Sequence, residues 1–374
     1  MKEEIYTGEL STKLFPDALD LLKKLIATPS FSKEEHDTAT IIENFLQERK
    51  VSVHRYLNNI WAVNKCFDEG KFTVLLNSHH DTVKPNPRYK NDPFQAFEKD
   101  GKLFGLGSND AGGPLVSLIA LFLHFYHAEN LPFNLILTAT AEEEISGHNG
   151  IEILLPMLPK IDCGIVGEPT LMKMAIAEKG LLVLDCTAHG VAGHAARSEG
   201  VNAIYKAMHD IEWFSSYQFP KTSSFLGPVH MAVTSVNTQN KAHNIVPSEC
   251  SFIVDVRVNE HYTFEEVIAT INNNVVCDVV PRSTRLKPSF IKEDHPLVLA
   301  GSMLGMESYG SPTCSDRAMM HFPTLKIGPG DSARSHSADE YIFVDEIKEG
   351  IQKYVQLLQN LQQLILNDSE AKSK

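Results

Sequence analysis

Three short apolar runs of strand type, each ending in acidic or imidazole residues, constrain this chain more than any other feature. Phe72–Asn77 leads into Ser78-His79-His80-Asp81-Thr82-Val83, Asn134–Thr140 into Glu142-Glu143-Glu144, and Cys163–Val166 into Gly167-Glu168-Pro169-Thr170. Residues just past strand ends line the ligand crevice in open α/β sheets. Between the runs, residues 112–126 read as a helix, and residues 11–27 and 35–49 carry apolar side chains at helical spacing: Ala18, Leu21, Leu22 and Leu25, then Ile41, Ile42, Phe45 and Leu46. Alternating strand and helix predict an α/β domain whose central sheet is covered by helices.

The middle of the chain has a different order. Strand (181–188), helix (202–214), strand (230–236), strand (249–258), helix (263–274) and strand (285–291) make the β-α-β-β-α-β pattern of a ferredoxin-like α+β unit. Such a unit brings its two ends close together, which suits insertion into another domain. From His295 to Tyr354 the α/β character resumes, so the expected division is 1–178 and 293–374 for the first domain and 179–292 for the insert. The tail after Leu366 is expected to be frayed.

A length of 374 residues allows two domains. The net charge of −13 argues against a nucleic-acid groove or a patch for anionic membranes. Pro114–Phe125 is too short to span a membrane and reads as a buried helix. Met1–Tyr6 is acidic and lacks the apolar core of a signal peptide. The six cysteines are scattered with no CxxC pair, which fits free thiols in a reducing compartment. A cytoplasmic protein with neither nucleic-acid nor membrane partners is the expectation. Cys314 has no evident partner base and is not proposed as a nucleophile.

Seven residues form a candidate metal constellation: His79, Asp81, Asp110, Glu143, Glu144, Glu168 and His336. Hard oxygens with imidazole are the donor set of zinc or a similar divalent ion, and two such ions can build a hydrolytic site. Each residue also has an ordinary alternative. His79 and Asp81 fit a surface pair, Asp110 a helix N-cap, Glu142–Glu144 a solvated helix start, and Glu168 before Pro169 a turn. Side chains alternate along a strand, so His80 points away from His79 and is expected to be a satisfied histidine of the layer behind.

Taken in order, from Ser78-His79-His80-Asp81-Thr82-Val83 through Gly107-Ser108-Asn109-Asp110, Glu142-Glu143-Glu144 and Gly167-Glu168-Pro169 to His336-Ser337-Ala338-Asp339-Glu340, the set resembles the M20 family of metallopeptidases and amidohydrolases over nearly the whole chain. The resemblance implies that His79 and Glu168 hold one zinc, Glu144 and His336 the other, and Asp110 bridges them. Asp81 would orient the first site and Glu143 would be the general base. The insert would be a lid and the dimerisation surface of a homodimer, with His194 reaching a neighbouring subunit's site to stabilise the oxyanion and Asn244 and Arg257 contacting substrate. A turn-forming Asn and a surface ion pair are the ordinary alternatives for the last two. The chain departs from the family where Leu106 and Gly112 replace basic residues, which leaves open how the loop around Asp110 is fastened. Motif wording is most similar to the bacterial acetylornithine deacetylase branch. This implies zinc-dependent hydrolysis of N2-acetylornithine in arginine biosynthesis, with cobalt or manganese as other candidate metals. N-succinylornithine or succinyl-diaminopimelate, then an aminoacylase or dipeptidase substrate, are the alternatives within the family. A metal-free binding protein of M20 type and a one-ion hydrolase of unrelated fold are the alternatives outside it.

Overall fold

Parallel pairing of three buried strands organises the molecule. In a computed structural model that describes residues 13–372, the chain opens with helices α1 (Phe15–Ile26) and α2 (His36–Glu48) and a hairpin of β1 (Val53–Tyr56) and β2 (Asn59–Val63). Next come β3 (Phe72–His79), α3 (Gly113–Phe125), β4 (Phe133–Thr140), β5 (Cys163–Val166) and β6 (Met174–Glu178). Then follow β7 (Gly180–His189), α4 (Ala203–Ser216), β8 (His230–Asn237), β9 (Glu249–Val258), α5 (Phe264–Asn272) and β10 (Asp278–Pro281). The chain closes with α6 (Pro296–Ser302), β11 (Thr324–Lys326) and α7 (Val344–Lys372). It divides into two compact units. One takes the chain to Ile176 together with Ile291–Tyr309 and the part from Ser315 onward; the other is Ala177–Phe290 with Gly310–Cys314.

In the first unit the mixed sheet runs in the order β1-β2-β4-β3-β5-β11-β6. β3 is parallel to both β4 and β5, while the β1–β2 hairpin joins antiparallel to β4. All eight residues of β4 are buried, and successive side chains point to opposite faces, so both faces of the sheet are covered. α3 packs on β3 and β4, and α2 on β1 and β2. The predicted stripe of α1 is buried as Ala18, Leu21, Leu22 and Leu25, with Ile26 added. In α2 the buried face is Thr38, Ala39, Ile42, Phe45 and Leu46, leaving Ile41 half-buried at its margin. α3 is buried along nearly its whole length, as its composition requires.

Register decides where the ends of these strands meet. His79 lies opposite Thr140, and Asn77 lies opposite Val166. The chain therefore leaves β3, β4 and β5 at one edge of the sheet, within a few residues of His79, Glu143 and Glu168.

The second unit is an antiparallel sheet in the order β10-β7-β9-β8 with α4 and α5, which is the ferredoxin-like arrangement. Leu182, Leu184, Phe214, Phe252, Val254 and Val267 lie in its core. α4 is capped by the Asn202 side chain and α5 by a reciprocal Thr263–Glu266 capping box. The fourth strand is not the expected 285–291 but Asp278–Pro281, which pairs with β7. Pro288 has no N–H for a ladder, and Ser289 and Phe290 pair instead with Glu178 and Ala177.

The tail after Leu366 also departs from expectation, since α7 continues to Lys372. No Gly or Pro interrupts that stretch, so nothing stops the helix there. Met1–Tyr6 and the first residues of the expected 11–27 helix lie outside the described residues. Among the described residues no helix is long and apolar enough to cross a membrane.

Leu75 is fully buried in the middle of β3. Leu75→Ala is expected to destabilise the first unit by about 2–5 kcal/mol, measured as a lowered unfolding temperature. An unchanged transition would mean that β3 does not carry the core.

Candidate metal centre

His79 ends β3 and is 1% exposed. Its Nδ1 lies 3.0 Å from the Asp81 carbonyl oxygen, which can only accept, so Nδ1 donates and Nε2 is turned towards the carboxylates. From Nε2 the distances are 3.2 Å to Asp110 Oδ1, 3.8 Å to Glu168 Oε1 and 3.9 Å to Glu143 Oε2. His336 Nε2 lies 2.9 Å and 3.1 Å from the two Glu144 oxygens and 3.7 Å from Asp110 Oδ2. Asp110 thus stands between two imidazoles. One donor atom each from His79, Asp110 and Glu144 fall within 4.8 Å of one another, as do those of His79, Glu143 and Glu168.

Asp81 is fully buried and works on the backbone. Its carboxylate accepts from Glu143 N–H at 3.1 Å, Glu144 N–H at 3.2 Å and Ser32 Oγ at 2.6 Å. It therefore fixes the short turn that carries both glutamates. The acidic triplet parts company here. Glu142 adopts φ 56°, donates its N–H to Glu35 at 3.2 Å and turns its carboxylate to Asn149, so only Glu143 and Glu144 face the cluster. His80 behaves as expected: Thr38 Oγ1 and the Asn58 carbonyl satisfy its ring, and burial lowers its pKa to about 4, which keeps it neutral. Asp110 makes no side-chain cap on α3, which sets aside its N-cap alternative.

The electrostatics suit a cation. Burial opposes protonation of His79, yet Glu143, Asp110, Asp81 and Glu168 together raise its pKa well above the ordinary value. The Glu144 carboxylate, chiefly, raises that of His336 to about 9. Burial and then the neighbouring Glu168, Asp316 and Glu144 push the Glu143 carboxyl well above its usual range, against the opposing pull of His79. A field that draws protons onto both imidazoles is the field that holds divalent ions, and oxygen with imidazole is the donor set of zinc. The residues present therefore fit a metal group.

Two residues of this region were given no role by the sequence. Asp316 is buried below the cluster and accepts from Asn77 Nδ2 and Thr140 Oγ1, both at 2.8 Å, so it ties together the ends of β3 and β4. Glu340 accepts backbone N–H groups from the Asp110 loop. Burial and then the charge of Asp110 raise its pKa to about 8. Neither sits in a periodic pattern, and their partners are far away in sequence. Gly112 has no room for a basic side chain, because a Cβ there would run into the Gly107 carbonyl and Leu22.

His194, Asn244 and Arg257 belong to the second unit. The His194 side chain is exposed, and its Nδ1 accepts from Ala196 N–H at 3.2 Å. The Asn244 carbonyl accepts from Ala195 N–H at 3.0 Å. Arg257 makes a two-pronged pair with Asp255, at 2.7 Å and 3.0 Å, as its ordinary alternative anticipated.

A carboxylate–imidazole cluster, half-buried around a fully buried His79, at the carboxyl ends of the parallel strands of a mixed sheet with helices around it, defines a metallo-hydrolase of α/β class. The chain belongs to the peptidase family M20/M25/M40, whose model matches residues 75–360. It is 26% identical to the acetylornithine deacetylase of Shigella sonnei (strain Ss046), over 92% of this chain and 97% of that one. It is 25% identical to succinyl-diaminopimelate desuccinylase 2 of Ruegeria sp. (strain TM1040), over 88% and 91%. Its fold matches that of the YXEP protein of Bacillus subtilis, described as a dinuclear metal-binding peptidase of the M20 family, with a TM-score of 0.67 at 13% identity over 92% of this chain and 97% of that one.

Asp81→Asn keeps one acceptor oxygen but puts an amide N–H₂ against a backbone N–H. It is expected to weaken divalent-metal affinity about 10–100-fold, read by competition with a chelator. Unchanged affinity would reduce Asp81 to a turn cap.

Proposed function

We propose that this chain hydrolyses the N-acyl amide bond of N2-acetylornithine, releasing ornithine and acetate as a step of arginine biosynthesis. The observation that carries the reading is the convergence of His79, Asp110, Glu143, Glu144, Glu168 and His336 from distant stretches of chain. The similarity to the Shigella deacetylase supports the acetyl substrate, together with the wording of the His79, Asp110 and His336 motifs. A second reading, an N-succinyl substrate, is favoured by the nearly equal similarity to the Ruegeria desuccinylase.

In this reading His79 and Glu168 would hold one zinc ion and Glu144 and His336 the other. Asp110 would be shared, since its two oxygens face His79 and His336 at 3.2 Å and 3.7 Å. When bound, such ions would polarise an acyl carbonyl and lower the pKa of water towards neutrality. Glu143 takes the proton of the attacking water on its carboxylate and returns it to the leaving amine nitrogen. Asp81 holds Glu143 and Glu144 in place by their backbone N–H groups. His194 donates to the oxyanion, a contact typically worth ~3 kcal/mol or more. Asn244 and Arg257 grip the substrate, Arg257 with a planar fork suited to a carboxylate. The parts 1–178 and 293–374 are the catalytic domain, and 179–292 is a lid and the surface of a homodimer. Cobalt or manganese can replace zinc. A reducing cytoplasm is supported by the free thiols of all six cysteines.

Glu143 also stands close enough to His79 to act as a ligand, so metal content separates the two roles. Glu143→Gln is expected to lower kcat by about 10²–10⁴-fold while bound zinc, measured by elemental analysis, stays at the wild-type ratio. Loss of zinc would move Glu143 into the ligand set.

Release assays on the zinc-loaded protein are expected to rank N2-acetylornithine above N-succinylornithine, N-succinyl-diaminopimelate and simple dipeptides in kcat/KM. A reversed order would favour the succinyl reading. Hydrolysis of none of them would remove the N-acyl amino acid assignment.

A further inference from the structure

We infer that Glu340 is a positioning residue for the metal centre: its buried carboxylate clamps the loop that carries Asp110 onto the segment that carries His336. Glu340 is 1% exposed and stands four residues after His336. Its Oε1 accepts from Asn109 N–H and Asp110 N–H, both at 2.9 Å, and its Oε2 from Gly107 N–H at 3.2 Å. Its own carbonyl accepts from Gly105 N–H at 3.0 Å, and its N–H donates to the Tyr89 hydroxyl at 3.3 Å. One residue thereby satisfies four backbone donors of a single loop.

The loop is shaped for this. Gly107 adopts φ 73°, and the N–H groups of 107, 109 and 110 converge in the manner of a backbone nest that binds anions. Here the group that fills it is a carboxyl side chain of the same protein. A side chain without acceptor oxygens would leave these N–H groups unpaired, which is costly when they are buried.

The consequence concerns spacing. Asp110 reaches both His79 and His336, and its value as a shared ligand depends on where its backbone is held. A second tie acts beside Glu340: Asn109 Nδ2 donates to the Asp331 carbonyl and its Oδ1 accepts from Asp331 N–H, each at 3.0 Å. Both ties hold 107–110 against the stretch from 331 to 340, and only Glu340 grips the N–H of Asp110 itself. Asp110 Oδ2 then stands 3.7 Å from His336 Nε2. The inference rests on the metallo-hydrolase reading for its functional consequence, while the clamp can be measured without any metal.

The test uses the full chain with Glu340→Ala and Glu340→Gln, and Leu46→Ala in α2 as a stability control far in sequence from the cluster. In the glutamine variant Oε1 can keep the Asn109 and Asp110 bonds, but its amide opposes the Gly107 N–H. The expected result is graded. Amide exchange at 107–110 accelerates in the metal-stripped protein, more for alanine than for glutamine. Affinity for zinc ions alone, by chelator competition, falls about 10–100-fold, with kcat reduced more than KM is raised. Leu46→Ala is expected to lower the unfolding temperature without changing zinc affinity. Wild-type zinc affinity in both Glu340 variants would overturn the inference, as would an equal affinity loss in Leu46→Ala. If wild-type protein binds no zinc although Glu340 protects these amides, the metallo-hydrolase reading fails and the clamp stands as a purely structural tie.

Discussion

Mutual repulsion among carboxylates at one edge of a sheet is the constraint on which the rest of this structure depends. Asp110 and Glu144 offer oxygens within 4.8 Å of a His79 nitrogen and of each other, and so do Glu143 and Glu168. Two unit charges about 5 Å apart repel by about 3 kcal/mol at an effective dielectric near 20. Several such pairs together rival the whole stability of a typical domain, about 5–15 kcal/mol. Protons or cations must therefore be part of the resting arrangement, and the raised pKa of the Glu143 carboxyl is one sign of it. Two imidazoles with raised pKa supply some of the positive charge, and divalent ions are the natural source of the remainder.

The scaffold meets this strain by using further carboxylates on the backbone. Asp81 holds the N–H groups of Glu143 and Glu144, Glu35 holds that of Glu142, and Glu340 holds three from the Asp110 loop. Each of these acids is buried and accepts several N–H bonds, which offsets the cost of removing it from water. The acids of the site thus fall into two sets. Asp110, Glu143, Glu144 and Glu168 face the imidazoles, and Asp81, Glu35 and Glu340 hold the chain that presents them.

The three-strand core was legible because its signals are local. Phe72–Asn77, Asn134–Thr140 and Cys163–Val166 are apolar runs bounded by polar residues, and the helices around them show their period in the sequence. The ferredoxin-like order was legible for the same reason, although its last strand was misplaced. The short Val279–Val280 run is weaker than the longer stretch ending at Ile291, and Pro288 was the warning sign. Metal-ligand types were visible at strand ends. The roles of Asp316 and Glu340 were not, because their partners in the cluster lie 176 or more residues away and no spacing rule links them.

From sequence alone came the kinds of element, the buried faces of the helices and the stock of oxygen and nitrogen donors, since these follow from local periodicity and side-chain chemistry. Tertiary structure alone decided which of three adjacent glutamates turn inward, that Asp81 grips backbone while also standing near His79, and that Glu340 fastens the Asp110 loop. Those outcomes depend on strand register and on hydrogen bonds between segments remote in the chain, and such bonds form only once the sheet has brought the segments together.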